Sequence, residues 1–598
     1  MDWSFSTFHF EKTKQGIRLK ILFYFTAILL LCSCNPLGKG NVVSDNVVID
    51  STLNGNGGNG NGGNGNGGNG SGNSNGGGNG GPPLDEGGKI GFSPPVSTNC
   101  EDYRTKYNLD DPYFCNQWHL SNRGQKVEKV PDASTYTGNA TAGVDIHSDY
   151  SLKNYSGKGV KFYITDDGLQ FSHPDIKDNY IGGFNNCTGE ANSLPKSSSN
   201  NHGTMVSGII AAKGNNGIGV SGVSHEAEIF VNNYISCQIG TSSFISAIKV
   251  SKNYNIWSGS FGMPACNVGL IPRSQQQTIY DAYTFGAKDN NILYFKANGN
   301  DNKCGAIGNN DPANTHYAVA SIAAMDFNGK ITTYSSRGPN LLASGFGGYG
   351  GSSPNPGIVT ISGTSTYTSS MNGTSAATPI VAGTAGLLLE AAPGYSWYDY
   401  QAILARGATI IEEPKTVSST IAGIDDVNYL VNDAGYRHSF TYGFGAVDAD
   451  ASLSLALTKY STLPALKKFS DEFSKIPQTD TNSSSFNGAS CAEKTVKIAD
   501  DFQIFSGEFS FDVQMTNVSN LSIFVTTPNG NKAQIVRPNG MPGSNLIYDQ
   551  YFKTFQFFAM TTKGDWKVSV CGNGSGTFKG AKLNFFGFSG APIPKRKI

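Results

Sequence analysis

The order of segments predicts an α/β fold on a doubly wound parallel sheet, followed by an all-β domain of jelly-roll or sandwich type. Three observations carry this. From about residue 159 to 300, strand-like runs alternate with helix-like ones. The turns richest in Asp, His, Asn and Ser fall where those runs begin or end. After about Ala465 the pattern changes to short alternating strands separated by turns.

Folded sequence begins around Asp111-Pro-Tyr-Phe-Cys-Asn-Gln-Trp-His-Leu120. The strand-like run 159–165 leads into Asp166-Asp167-Gly168, and His202-Gly203-Thr204 opens a helical pattern that lasts through 213. A strand at 227–232, a short strand ending at Trp257, a helix at 275–288 and a strand at 291–297 follow, the last running into Asn298-Gly299-Asn300. In parallel sheets chemistry gathers at the carboxyl ends of strands. Asp166 and Asn300 stand at such ends, whereas His202 stands at a helix start. So does Ser375, in Asn372-Gly-Thr-Ser-Ala-Ala-Thr-Pro379, just ahead of the apolar, helix-ready run 379–389; exposed backbone N–H groups at a helix start favour developing negative charge. In the C-terminal part, 507–513, 521–526, 564–570 and 583–586 read as strands, with a turn at Pro528-Asn529-Gly530, and Cys491 and Cys571 are available to close that domain.

The N-terminal hundred residues are of another kind. Lys12, Lys14, Arg18 and Lys20 precede the apolar run 21–31, which is too short to span a bilayer comfortably and reads as a signal peptide. Leu31-Cys32-Ser33-Cys34 resembles the bacterial lipobox, in which a cysteine is acylated and becomes the mature N-terminus; Cys34 is the expected lipidation site, and simple cleavage near Ser33 is the alternative. Residues 54–81 are essentially Asn/Gly repeats without an apolar residue to join a core, hence a tether. About 65 residues of such chain reach roughly 45 Å. The expected organisation is therefore a lipoprotein signal at 1–34, a tether at 35–99, an α/β domain at 100–460 and a β-sandwich at 465–598. The 44 basic and 45 acidic residues give a net charge of -1, which argues against a nucleic-acid partner.

A serine hydroxyl is a poor nucleophile at neutral pH, so acyl transfer needs a base in reach, a group that orients the base, and donors for the oxyanion. In chain order the sequence offers Asp166, His202 in His-Gly-Thr-Met-Val-Ser-Gly, Asn300 in Ala-Asn-Gly-Asn, and Ser375. Taken singly, Asp166 reads as a turn cap, His202 as a helix-end histidine, Asn300 as a left-handed turn residue and Ser375 as a helix cap. Four local motifs in the order Asp, His, Ser, with an asparagine between, are another matter.

On those motifs the region from about Asp111 to Leu457 resembles subtilisin-like serine proteases, and most of all the kexin/furin branch, in which a β-rich P domain follows the protease. The resemblance implies a serine endopeptidase acting on proteins or peptides. Ser375 is the implied nucleophile, His202 the general base, Asp166 its orienting acid and Asn300 an oxyanion donor. Ser260, Phe261 and Gly262, within Ser258-Gly-Ser-Phe-Gly262, match the strand edge that receives an extended substrate, and Asp167 matches a position lining a neighbouring subsite. A structural calcium ion is implied at Asp111, Asp175 and the loop 214–220, with Gly214, Asn216, Ile218 and Val220 as the loop's ligand positions.

The sequence departs from the family where basic side chains are read. Met263-Pro264-Ala265-Cys266 lacks the acid expected after the substrate strand, Cys304-Gly-Ala-Ile-Gly308 replaces an acid-bearing motif after Asn300, and Ser199 replaces an acid upstream of His202. Strict cleavage after paired basic residues is not expected. Loss of Cys32 and acylation of Cys34 leave eight of the ten cysteines, an even number with connectivity open from spacing. The expected pairs are Cys491 with Cys571 and, beside it, Cys100 with Cys115, Cys187 with Cys237, and Cys266 with Cys304; the alternative is that some of the eight are free. The stretch between Cys34 and Asp111 offers no foldable prosegment, which shifts the expected burden of stability onto calcium, disulfides and the β-domain. The competing reading is a tethered binding or adhesion protein that keeps a protease fold without catalysis.

Overall fold

The structure is a computed structural model that describes residues 99–590 and 593–595, outside the segments 107–108, 131–133, 139, 238–240, 263–265, 267–272, 412–428, 463–473, 481–483, 488–489, 516, 542–545 and 548–549. The signal sequence, Cys34, the Asn/Gly tract and Met263 to Ala265 lie outside the described residues.

Seven strands form one sheet: β1 (Lys161–Asp166), β2 (Tyr180–Asn185), β3 (Glu228–Asn233), β4 (Ile256–Gly259), β5 (Leu293–Ala297), β6 (Val319–Met325) and β7 (Leu341–Phe346). Their spatial order is β2-β3-β1-β4-β5-β6-β7, and every neighbouring pair is parallel. Helices cover both faces, so central strands are buried along their whole length; β5 and β6 are buried at every position, including Lys296 and Ser321. From β1 the chain crosses to β2 at the edge, comes back to insert β3 between β2 and β1, and then builds β4 to β7 on the other side of β1. That reversal opens a crevice at the carboxyl ends of β1 and β4, where ligands of such sheets bind.

The expected strands and helices appear with small shifts: the helices run His202–Ala211 and Arg273–Asn290. Three strands have no counterpart in the sequence reading. β2 carries Gly182-Gly183, and β6 and β7 are rich in Ala and Ser, residues that carry little strand signal until a sheet packs around them. The helix expected to open at Ser375 runs Thr374–Ala391, with Pro379 inside it.

Downstream lie two antiparallel sheets, of six and four strands. The long strands Gln503–Met515 and Gly576–Phe588 pair in the larger sheet, and Ala492–Ile498, Gly564–Gly572, Leu521–Thr526 and Lys532–Val536 make the smaller. Trp566 from one sheet meets Phe585 from the other with ring centroids 4.7 Å apart, so the sheets form a sandwich closed by apolar inner faces. All four expected disulfides are present: Cys100–Cys115, Cys187–Cys237, Cys266–Cys304 and Cys491–Cys571.

The sandwich packs on the α/β part through aromatic and buried polar contacts. Phe586 stacks on Tyr317 at 4.2 Å, and Phe505 meets Trp397 edge-on at 5.7 Å. The buried Glu508 carboxylate accepts from the Tyr280 hydroxyl at 3.0 Å and the Tyr317 N–H at 2.9 Å, and the buried Lys553 ammonium donates to the carbonyl of Val319. Charges buried this way are stranded if either side is removed.

Candidate active site

Asp166 is the last residue of β1, and His202 is the first residue of the helix His202–Ala211. That helix comes close enough to β1 for the Asp166 Oδ1 to lie 2.7 Å from His202 Nδ1. Gly203 makes the approach possible: a Cβ there would lie 2.3 Å from the Gly168 carbonyl oxygen and 2.9 Å from the Asp166 Cβ. Asp166 is fully buried, whereas the His202 ring is about one-third open (32%) toward the crevice. Burial alone would lower the imidazole; the Asp166 charge and hydrogen bond, helped by Asp167, outweigh it and hold the ring up at about 9. Asp167 is buried too, and its carboxylate caps the helix by accepting from the N–H groups of His202 (3.2 Å) and Gly203 (2.7 Å). Its own pKa is raised, by burial first and then by Asp166.

Ser375 is the second residue of Thr374–Ala391. Gly373 before it has φ of 95°, a left-handed turn that brings the chain into the helix. The Ser375 hydroxyl donates to the Ser260 carbonyl at 2.9 Å, and the Ser260 hydroxyl donates to the Ser375 carbonyl at 3.0 Å. In a regular helix the Ser375 carbonyl would accept from the N–H four residues on, but that residue is Pro379, which has none. Ser260 supplies the missing donor.

Asn300 is exposed, three residues beyond β5. Its Oδ1 accepts from both the N–H (2.9 Å) and the hydroxyl (3.0 Å) of Thr374, which commits the oxygen and leaves the NH2 end facing away from Thr374. Thr374 was not singled out in the sequence, although its place beside Ser375 was a signal. The same holds for Tyr334, whose hydroxyl receives the Gly373 N–H at 3.0 Å and fixes the turn. Ser260 is buried and Gly262 is exposed; between them the Phe261 carbonyl accepts from the Lys296 ammonium at 2.6 Å. The structure thus brings Asp166, Asp167 and His202 into one hydrogen-bonded group, and Ser260 and Ser375 into another.

A second cluster holds Asp111 and Asp175, both fully buried, against the loop 214–220. Asp111 accepts from the N–H groups of Asn215 (2.9 Å) and Asn216 (3.3 Å); Asp175 accepts from the Asn216 amide (2.8 Å) and the Val220 N–H (3.0 Å). Gly214 is buried, and Ile218 is exposed with its N–H on the Asn216 Oδ1 at 2.9 Å. Burial raises Asp111 to about 6 and Asp175 to about 7; the Asp110 charge adds to the rise at Asp111, and the Asp111 charge adds to that at Asp175. Two buried carboxylates held mostly by neutral N–H donors are what a hard cation would relieve. Among the described residues no three His, Cys, Asp or Glu side chains group closely enough to hold a metal, so a cation here would need backbone and amide oxygens of the loop as well.

Residues 157–445 match the subtilase family (Peptidase_S8). The chain carries a subtilase domain. Across 79% of its length the chain is 28% identical to the Aeromonas extracellular serine protease of Aeromonas sobria, covering 86% of that protein. It is 28% identical to kexin of Saccharomyces cerevisiae over 83% of this chain and 59% of kexin, and 25% identical to pig (Sus scrofa) neuroendocrine convertase 2 over 79% and 73%. The solved serine protease of Aeromonas sobria superposes with a TM-score of 0.68 at 22% identity, over 84% of this chain and 98% of that one, a likeness of fold. The same protease has also been solved in complex with a chaperone. The subtilase match, with relatives named serine protease and kexin, supports a serine endopeptidase. Among the described residues no helix is long and apolar enough to cross a membrane.

Proposed function

We propose that this subtilase hydrolyses peptide bonds with Ser375 as nucleophile, His202 as general base, Asp166 as the group that orients and stabilises the imidazolium, and Asn300 as oxyanion donor. The observation that carries the reading is the 2.7 Å contact between the buried Asp166 carboxylate and His202 Nδ1, which fixes the tautomer with Nε2 free to accept a proton. A substrate laid along Ser260 to Gly262 brings a peptide N–H to the Ser260 carbonyl, in competition with the Ser375 hydroxyl now bound there. The displaced hydroxyl turns to His202 Nε2, gives up its proton and attacks the carbonyl; His202 then returns the proton to the leaving amine. The Asn300 NH2, aimed by Thr374, and the Ser375 N–H at the helix start receive the oxyanion. Asp167 tunes His202 and lines the entrance.

Calcium fits the Asp111 and Asp175 cluster, with Asn216 and carbonyls of Gly214 to Val220 completing an oxygen shell; bound there it neutralises two buried carboxylates and ties the N-terminal segment to the loop. The export signal, Cys34 as lipidated N-terminus and the Asn/Gly tether support placement at the bacterial cell envelope, held to the membrane by lipid, and the extracellular Aeromonas relative is consistent with export. Protein or peptide chains are the substrates. Comparing casein hydrolysis by the wild type and Ser375→Ala tests the reading: activity that survives the substitution would refute it.

A further inference from the structure

We propose that Lys296 and Asp311 form the floor of the pocket for the side chain preceding the scissile bond, and that this neutral pair makes the enzyme select an uncharged residue there. The inference deepens the active-site reading above and rests on it. If the substrate carbonyl lies between the Ser375 hydroxyl and the Asn300 amide, the side chain before the cut must enter between the two segments that continue β4 and β5. Those segments are Ser260 to Gly262 and Asn298 to Asn300. Gly259 and Lys296 are register partners at the point where the two strands end, so Lys296 stands at the base of the gap.

Its ammonium donates to the Phe261 carbonyl at 2.6 Å and to Asp311 Oδ2 at 2.7 Å, with the lysine side chain 1% exposed and the aspartate side chain 11% exposed. The other Asp311 oxygen, Oδ1, accepts from the Ala313 N–H at 3.0 Å. Gly262 stands directly in front of the pair: a Cβ there would lie 3.4 Å from Asp311 Oδ2 and 3.8 Å from Lys296 Nζ. A side chain entering past Gly262 therefore meets a carboxylate whose charge is already matched. Asp301, the other acid nearby, lies against the Cys266–Cys304 disulfide, its Oδ1 3.6 Å from the Cys266 sulfur.

An arginine or lysine placed in this gap would lose its water and gain no unmatched carboxylate, while lying beside a buried ammonium. An apolar or amide side chain meets no such obstacle. Lys296 is thus a specificity-determining residue that excludes cationic side chains, and it also fixes the carbonyl of the strand that receives the peptide.

The test is a series of fluorogenic peptides differing only at the residue before the cut, assayed with active sites counted by a fluorophosphonate probe. The wild type is expected to cleave after Leu, Phe or Gln with kcat/KM roughly tenfold or more above that for Arg or Lys. Lys296→Met is expected to move this ratio toward Arg and Lys by roughly tenfold or more, and Lys296→Arg to preserve the wild-type preference. A labelled wild type that prefers Arg or Lys overturns the inference and leaves the active-site reading standing, as does an unchanged ratio in a labelled Lys296→Met. If Lys296→Met does not fold, the wild-type profile decides alone. A wild type whose Ser375 takes no label overturns the active-site reading and this inference together.

Discussion

Ser260 and Ser375 exchange hydrogen bonds, hydroxyl to carbonyl in each direction, and the exchange exists because Pro379 cannot donate to the Ser375 carbonyl. The serine of the site is thereby tied to the strand that receives substrate. Ser260→Ala removes the hydroxyl that donates to the buried Ser375 carbonyl. Stability should fall by about 1–3 kcal/mol in urea unfolding, with a loss of kcat/KM as well; Ser260→Thr should retain most of both. An unaltered unfolding midpoint in Ser260→Ala would contradict this account of the proline.

The acid limb of the pH profile follows from His202. The imidazole must be neutral to accept a proton, so kcat/KM should rise with pH through its pKa, which Asp166 and Asp167 hold up at about 9 against the lowering effect of burial. Asp167→Asn removes one of the charges that favour the imidazolium. The limb should move to lower pH in that variant. A limb that stays in place or moves upward would show that Asp167 does not act on His202.

Calcium should raise thermal stability. Chelation by EGTA is expected to lower Tm, readdition of calcium to restore it, and Asp175→Asn to abolish the response. Equal Tm values with and without calcium in the wild type would remove the ion from the Asp111 and Asp175 cluster.

The β-sandwich should be indispensable. Phe586 on Tyr317, Phe505 on Trp397, and the buried Glu508 and Lys553 leave a broad apolar and charged face exposed when the sandwich is absent. A chain ending at Leu463 is expected to yield no soluble, active protease, as judged by expression and casein hydrolysis. Full activity from it would contradict the role assigned to this interface.

Much of this architecture was legible in the residues. β1, β3 and β5 announce themselves through apolar runs that end in turns, and the disulfide pairs and the contact of Asp166 with His202 follow the expected pattern. Where the signal failed, the cause is local chemistry. β6 and β7 mix apolar residues with Ala, Ser and Gly, whose place in a sheet depends on packing from neighbours far away in sequence. Lys296 was unreadable as a site residue because a lysine in an apolar strand acquires meaning only when Asp311 and the Phe261 carbonyl arrive from other segments.

The central claim is that Ser375 is a nucleophile activated by His202. Covalent labelling of the full-length protein by a fluorophosphonate probe, with the modified residue located by peptide mass analysis, tests it most directly. The account predicts one label, on Ser375, lost in Ser375→Ala and strongly slowed in His202→Ala. Folded wild-type protein that takes no label, or labels equally in Ser375→Ala, would contradict it and favour a binding protein that keeps the subtilase fold without its chemistry.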